Sequence, residues 1–464
     1  MSGGSDGKLE LLRQSCVNGE ADISSVDLSN SGLTVFPLQD LLPLRHTLEV
    51  LNLGGNRLSS LPDEIAQFRK LRVLFFANND FTSVPSVLGG MPSLFMLSFK
   101  SNRVEIVPED SLSPSLGWLI LTDNKIRQLP ASIGRLSGLR KCMLAANELR
   151  ELPAEMAQCR QLELLRIAAN RIKALPDWLL QLPRLSWLAF AGNPLCAASQ
   201  AAGAEALGSL RAIDYRELQM GAKLGEGASG IVYQARWSPS QQEQQEHQQL
   251  ETAVKMFKSG ATSDGLPEDE MQAMLAAGTH PHCTQVLGRV VNAPGDALGL
   301  VLPLIPPAYS ILGNPPSFQS VTRDTFAPAV RFNLSTIVRV ARGILSVCAH
   351  LHGRGISHGD LYAHNILADP SGSPLLSDFG AASFYAALPA PSAAALQAIE
   401  VSAFGWLLED MLGRVELSTE GEGKAGLERS KRVVALERIQ RQCVEPELAL
   451  RPRFEALGTM FASL

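Results

Sequence analysis

The chain has 464 residues, of which 45% are hydrophobic and 19% charged, with a formal net charge of −5. That length exceeds one ordinary hydrophobic core, so two or three domains are expected, and the composition excludes a disordered or fibrous protein. The mild acidity and the lack of any Lys/Arg-rich block argue against nucleic acid as a partner.

Seven cysteines lie scattered at positions 16, 142, 159, 196, 283, 348 and 443, an odd number with no C-x-x-C pair. Reduced thiols in a cytoplasmic protein fit this usage better than disulfides or a zinc site. Residues 1–8 are polar and lack the apolar segment of a secretion signal. The longest apolar run, 298–312, is interrupted by Pro303, Pro306 and Pro307 and is too short for a membrane span. A soluble cytoplasmic protein is expected.

Taken in order, the chain should open with a capping helix within 1–22, covering 9–17, started near Ser5 or Asp6 and stopped by Asn18-Gly19. Self-similarity follows. Asn56, Asn79, Asn102, Asn124, Asn147, Asn170 and Asn193 recur at spacings of 23, 23, 22, 23, 23 and 23 residues. Each stands in the frame L-x-x-L-x-L-x-x-N-x-L, and most copies close on an apolar residue and a proline, as in Leu61-Pro62 and Leu129-Pro130. With a degenerate first copy near Ile23, about eight repeats fill 23–195, and the pattern is the leucine-rich repeat signature. The expected structure is an α/β solenoid: one short strand per turn, leucines inside, and the Asn side chain bonding backbone groups where the chain leaves the strand. Outward positions bring Phe75, Met96, Trp118, Ile120 and Met143 together on the concave surface. Such a patch suits a protein substrate or regulator, or packing inside the chain. Residues 196–213 lose the period and read as cap and linker.

From 214 to 464 the elements change. Residues 218–224 and 231–235 read as strands joined by Gly225-Glu226-Gly227-Ala228-Ser229-Gly230, with Val232 two residues on. Glycines let such a hairpin close on a ligand and bring its amides near phosphate oxygens. A Gln/Glu-rich insert, 239–249, reads as a loose loop. In Thr252-Ala253-Val254-Lys255-Met256-Phe257 a lysine sits inside an apolar strand, which is costly unless its charge is paired. Glu270 on the following helix is the best partner, with Glu268 in reserve. A strand over 298–305 precedes a helix whose buried face is Ile337, Val340, Ala341, Ile344, Leu345, Cys348 and Leu351. That helix should end at Gly353 or Gly355 and deliver His358-Gly359-Asp360-Leu361-Tyr362-Ala363-His364-Asn365, with Asp378-Phe379-Gly380 thirteen residues after Asn365.

Six motifs in this order, G-x-G-x-x-G-x-V, A-V-K, the helix Glu, H-x-D-L-x-x-x-N, D-F-G and a helix opening E-V-x-x-F-G, resemble the protein-kinase superfamily. The whole chain is similar to the intracellular leucine-rich-repeat protein kinases. The resemblance implies a bilobal α+β domain using ATP and Mg2+. It assigns Asp360 to the acceptor hydroxyl, Asn365 and Asp378 to metal, and Lys255 with Glu270 to the ion pair on the phosphates. Gly225, Gly227 and Gly230 would cover the phosphates, while Val232, Ala253, Leu302 and Leu304 would line the nucleotide site. His358 would buttress the loop beside Phe379. Serine or threonine is the common acceptor in the family; a nucleotide-binding scaffold without transfer is the alternative.

Three departures accompany the resemblance. Gly359 replaces the Arg that reads an activation-loop phosphate, so loop phosphorylation should be dispensable. Tyr362 stands where a phosphate-contacting Lys is usual. The activation segment is short, with 22 residues from Asp378 to Glu400 and no A-P-E triplet, which leaves Arg451 without its usual glutamate.

Overall fold

The computed structural model describes residues 5–17, 23–200, 211–238, 250–416 and 424–464. The Asn18-Gly19 stop, the insert 239–249 and most of the linker (201–210) lie outside the described residues. The chain divides into two compact units, Met1–Leu182 and Pro183–Leu464.

The first unit begins with helix α1, Ser5–Val17. Its repeats contribute three-residue strands β1 (Ser25–Asp27), β2 (Val50–Asn52), β3 (Val73–Phe75), β4 (Met96–Ser98), β5 (Trp118–Ile120), β6 (Lys141–Met143) and β7 (Leu164–Arg166), paired in parallel in chain order. Equivalent positions face each other, Leu51 to Leu74 and Leu97 to Leu119, and these central side chains are fully buried. On the far side of each copy, Pro62, Pro85, Pro130 and Pro153 hold an extended backbone that leads into single 3-10 turns. The repeat's apolar-Pro ending thus starts the return path.

Asn102 shows why the amide is required. Its Nδ2 donates to Phe76 O at 2.8 Å and Phe99 O at 3.0 Å, while its Oδ1 accepts from Phe81 N at 3.1 Å. Backbone groups from two adjacent turns are satisfied by one side chain. Phe76, Phe81 and Phe99 pack around that turn with ring centroids 5.0–5.1 Å apart. Asn102→Ala strands three buried backbone groups and is expected to destabilise this unit by about 3 kcal/mol, read as a lower urea midpoint.

The concave patch differs from expectation. Met96 is 2% exposed and Met143 9%, while Phe75, Trp118 and Ile120 are only half-buried. The rungs lie one strand spacing apart, so long side chains cover one another, and the Lys141 ammonium sits 4.2 Å from the centre of the Trp118 ring. The five residues do not form an open apolar surface.

The second unit starts with β8 (Trp187–Ala189), the last copy of the repeat. Strands β9 (Ala212–Asp214), β10 (Leu218–Glu226), β11 (Gly230–Trp237), β12 (Leu250–Phe257), β13 (Gly288–Val291) and β14 (Gly299–Pro303) form one sheet in the order β10-β11-β12-β14-β13-β9. All pairs are antiparallel except β13 with β9. Ile213, Trp237, Val254 and Val301 form its core. Helix α2, Pro267–Ala277, carries Glu270 as expected and starts on a proline.

Beyond the sheet, α3 (Leu334–Gly353) buries all seven residues of the face expected from its spacing, and Asn333 caps it by accepting from Thr336 N. Among the described helices only α3 is long and apolar enough to cross a membrane, but its apolar stripe is packed inside this unit. Short pairs follow: β15 (Ser310–Ile311) with β17 (Ile366–Ala368) and β18 (Pro374–Leu376), and β16 (Ile356–Ser357) with β19 (Ser383–Phe384). Helices α4 (Ala390–Leu412), α5 (Lys424–Cys443) and α6 (Phe454–Ala462) complete the unit. The alanine run 393–395 belongs to α4, because alanine is the best helix former and Pro391 sits in the first turn. Only residues 381–389 therefore separate D-F-G from the helix, fewer than the segment to Glu400 suggested.

Candidate active site

A cavity of about 970 Å³ lies within the second unit. Its lining includes Gly225, Gly227, Gly230, Val232, Ala253, Lys255, Leu302 and Leu304, all eight residues assigned to the nucleotide by the resemblance, together with Glu270 and Asp378. Gly230 has a local reason: a Cβ there would stand 2.6 Å from Met256 O on the paired strand. Gly227 N donates to Gly230 O at 2.9 Å and closes the hairpin tip. Glu226 pairs with both Lys223 and Lys258, which holds its carboxyl down near a pKa of about 2. Motif matching fixes only the glycines and does not specify this three-residue clip.

Strand register places Lys255 opposite Val232 on one side and Leu300 on the other, inside an apolar sheet. Its ammonium pairs with the Glu270 carboxylate from α2, whose side chain is 1% exposed. Glu268 points to solvent and is not the partner. Burial pushes the Glu270 carboxyl up against the pull of Lys255, and nearby Asp378 adds to the push. A buried pair of this kind costs desolvation on both sides and is a poor stabiliser. It does hold a cation at a fixed point on the cavity wall.

Asp360 and Asn365 are brought together but are not among the cavity-lining residues. Asn365 Nδ2 donates to Asp360 Oδ2 at 2.7 Å and to Asp360 O at 2.9 Å, leaving the amide oxygen as its remaining polar atom. Asn365 O accepts from both Ser377 N and Ser377 Oγ, so the loop and the D-F-G turn are tied at one carbonyl. His358 bonds Ser377 O at 3.0 Å, and its ring meets Phe379 edge-on at 5.0 Å. Asp378 has φ +58°, a left-handed backbone that aspartate tolerates better than most residues.

Glu400 anchors this loop from α4. Its carboxylate accepts from Gly359 N at 2.6 Å and His358 N at 3.2 Å, and lies 2.6 Å from His352 Nε2. Burial alone would raise this carboxyl, but the His352 bond, neighbouring imidazole charge and the Gly359 amide hold it below the usual range. A depressed folded-state pKa contributes stability above the unfolded value of 4.5 that is lost as pH falls through the folded value. Wild type should therefore exceed Glu400→Gln by about 3 kcal/mol at pH 7, a gap that narrows below pH 4.5 in urea unfolding curves.

Among the described residues Arg451 meets no carboxylate in place of the missing triplet. It is 5% exposed and donates to three carbonyls, Glu445 O at 2.7 Å, Ala398 O at 2.9 Å and Pro183 O at 2.7 Å. Burial lowers its pKa to about 10. The cysteines named in the sequence, apart from Cys16, are free and buried.

Comparison with known proteins agrees with this architecture. Residues 218–391 match the family model described as protein tyrosine and serine/threonine kinase, and residues 46–104 match that described as leucine rich repeat. The chain is 28% identical over 36% of its length to the probable serine/threonine-protein kinase gdt4 of Dictyostelium discoideum, covering 9% of that protein. It is 29% identical over 38% of its length to the epidermal growth factor receptor of Apis mellifera, covering 12% of it. CBL-interacting protein kinase 22 of Oryza sativa subsp. japonica is 29% identical over 36% of each chain. The chain thus spans about a tenth of the first two relatives. It joins a leucine-rich-repeat region to a protein-kinase domain.

Proposed function

We propose that the chain is an ATP- and Mg2+-dependent protein kinase acting on serine or threonine hydroxyls, with its repeats serving protein recognition. The observation that carries this reading is the Lys255–Glu270 pair on the wall of a glycine-roofed cavity that also holds Asp378. Such a pair is an expensive device for stability alone but a sound one for fixing a cation against phosphate.

The donor set fits a hard divalent ion: the Asp378 carboxylate and the Asn365 amide oxygen are oxygen ligands of the kind Mg2+ prefers. When bound, the ion would neutralise charge on the phosphates. The chain's own residues do the rest. Lys255 orients the α- and β-phosphates, and the hairpin amides of Gly225–Gly230 approach their oxygens. Asp360, held by Asn365 Nδ2, orients the acceptor hydroxyl and takes its proton as the new P–O bond forms and ADP departs. The free buried thiols suit a reducing, cytoplasmic setting.

The short 381–389 segment favours a second reading, a nucleotide-binding scaffold. One assay separates them: the 464-residue chain, labelled ATP, magnesium and casein. Transfer that stops on adding EDTA is expected. ATP binding without transfer to any protein acceptor would leave the scaffold.

A further inference from the structure

The last repeat copy lies against the loop that carries Asp360. The Trp187 indole stacks face to face on Tyr362, centroids 4.5 Å apart and planes 6° from parallel, and its Nε1 donates to Leu361 O at 3.1 Å. Trp187 is 2% exposed and Tyr362 5%. Tyr362 also packs against His364, ring centroids 4.9 Å apart. The same rung reaches the segment after D-F-G, where Phe190 N donates to Ser383 Oγ at 2.9 Å. It also reaches α4, where Ser186 Oγ accepts from Trp406 Nε1 at 3.1 Å and lies 2.9 Å from Ser402 Oγ.

These contacts have one thing in common. An extended protein segment that presents its hydroxyl to Asp360 would lie along Tyr362 and the start of 381–389, where Trp187 already occupies the Tyr362 ring and Phe190 N the Ser383 hydroxyl. The nucleotide cavity has no residue of this rung in its lining. The rung therefore covers the acceptor side of the loop and leaves the nucleotide side open.

We propose that residues 183–190 are an inhibitory cover in cis, fastened by Trp187 on Tyr362, and that phosphoryl transfer to a protein acceptor requires this rung to be displaced. Its effect on activity rests on the kinase reading; the cover itself does not. Displacement frees the ring of Tyr362 and the hydroxyl of Ser383 while Lys255, Glu270 and Asp378 stay in place, so the device gates the acceptor and not ATP.

The test uses the full chain as wild type, Trp187→Ala and Trp187→Phe, with Ser186→Ala as a milder break of the same rung. Three quantities are read: amide hydrogen exchange over 359–365 and 381–387, ATP affinity, and labelled phosphate transferred to casein and to water. Trp187→Ala should speed exchange in both segments and raise casein phosphorylation about tenfold, within the usual range of coupling between sites. ATP affinity and hydrolysis should stay within about twofold by the same gating argument. Trp187→Phe, which keeps a ring on Tyr362, should stay near wild type, and Ser186→Ala should move in the direction of Trp187→Ala by less. Unchanged exchange in Trp187→Ala and Ser186→Ala overturns the cover, as does faster exchange with casein phosphorylation flat or lower while ATP is still hydrolysed. If exchange quickens and ATP binds but no protein transfers phosphate to casein or water, the cover stands and the kinase reading falls.

Discussion

Asp360→Asn is expected to lower phosphotransfer to a protein hydroxyl by about 10²–10⁴, the usual contribution of a positioned proton acceptor. The substitution is chosen for what it leaves intact. An asparagine oxygen can still accept from Asn365 Nδ2, now at 2.7 Å from Asp360 Oδ2, so the loop keeps its internal bond. What disappears is a group able to take a proton. Because Asp360 is outside the lining of the nucleotide cavity, ATP affinity should change little. The loss should fall on kcat and not on nucleotide binding, a pattern that marks an interaction made only in the transition state. Single-turnover transfer with saturating ATP is the measurement. A rate within threefold of wild type would remove Asp360 from the chemistry, by comparison with the 10²-fold lower bound for such groups.

The parts of this molecule that were legible in the sequence are those where one physical need recurs at short range. The seven asparagines announce the solenoid because each must satisfy backbone groups of its own and the preceding turn, as Asn102 does for Phe76, Phe99 and Phe81. The α3 face follows from helical spacing alone. The cavity-lining residues came from motif resemblance, and Lys255 with Glu270 could also be argued from the cost of an unpaired lysine in an apolar strand. The start of α4 at Ala390 runs ten residues ahead of the Glu400 opening that the motif marks, because a motif locates its own residues and not the helix end, which the alanine run and early proline set. What could not be read joins residues far apart. Nothing near Trp187 indicates that its ring will meet Tyr362, and nothing near Arg451 indicates three carbonyls instead of a carboxylate. Burial of Met96 and Met143 depends on how neighbouring rungs fold side chains over one another, which a repeat frame does not specify.

Gly359→Arg, which would supply the residue that the kinase resemblance leads one to expect before Asp360, is expected to destabilise the second unit by about 3 kcal/mol or more, adding left-handed strain to overpacking. The backbone there has φ +72°, where a side chain costs about 1–2 kcal/mol. Space is shorter still: a Cβ would stand 2.6 Å from Ala381 O and 2.8 Å from Leu188 O. Both obstacles are backbone carbonyls, so no rotamer change relieves them. One belongs to the segment after D-F-G and the other to the last repeat rung. The amide of Gly359 is at the same time bonded to Glu400 at 2.6 Å, so the loop cannot move away without giving up its buried anchor. Gly359→Ala carries the same Cβ and should therefore fail as well, by about 2 kcal/mol or more. That comparison is decisive, because a glycine standing merely for a lost phosphate reader would accept alanine at little cost. Urea unfolding of the two variants measures it, and an alanine variant within 0.5 kcal/mol of wild type, the range of ordinary surface changes, would sink the account. If both fail, the absence of a side chain at 359 is explained by geometry: two chain segments occupy the room it would need, and the loop is anchored from within by Glu400.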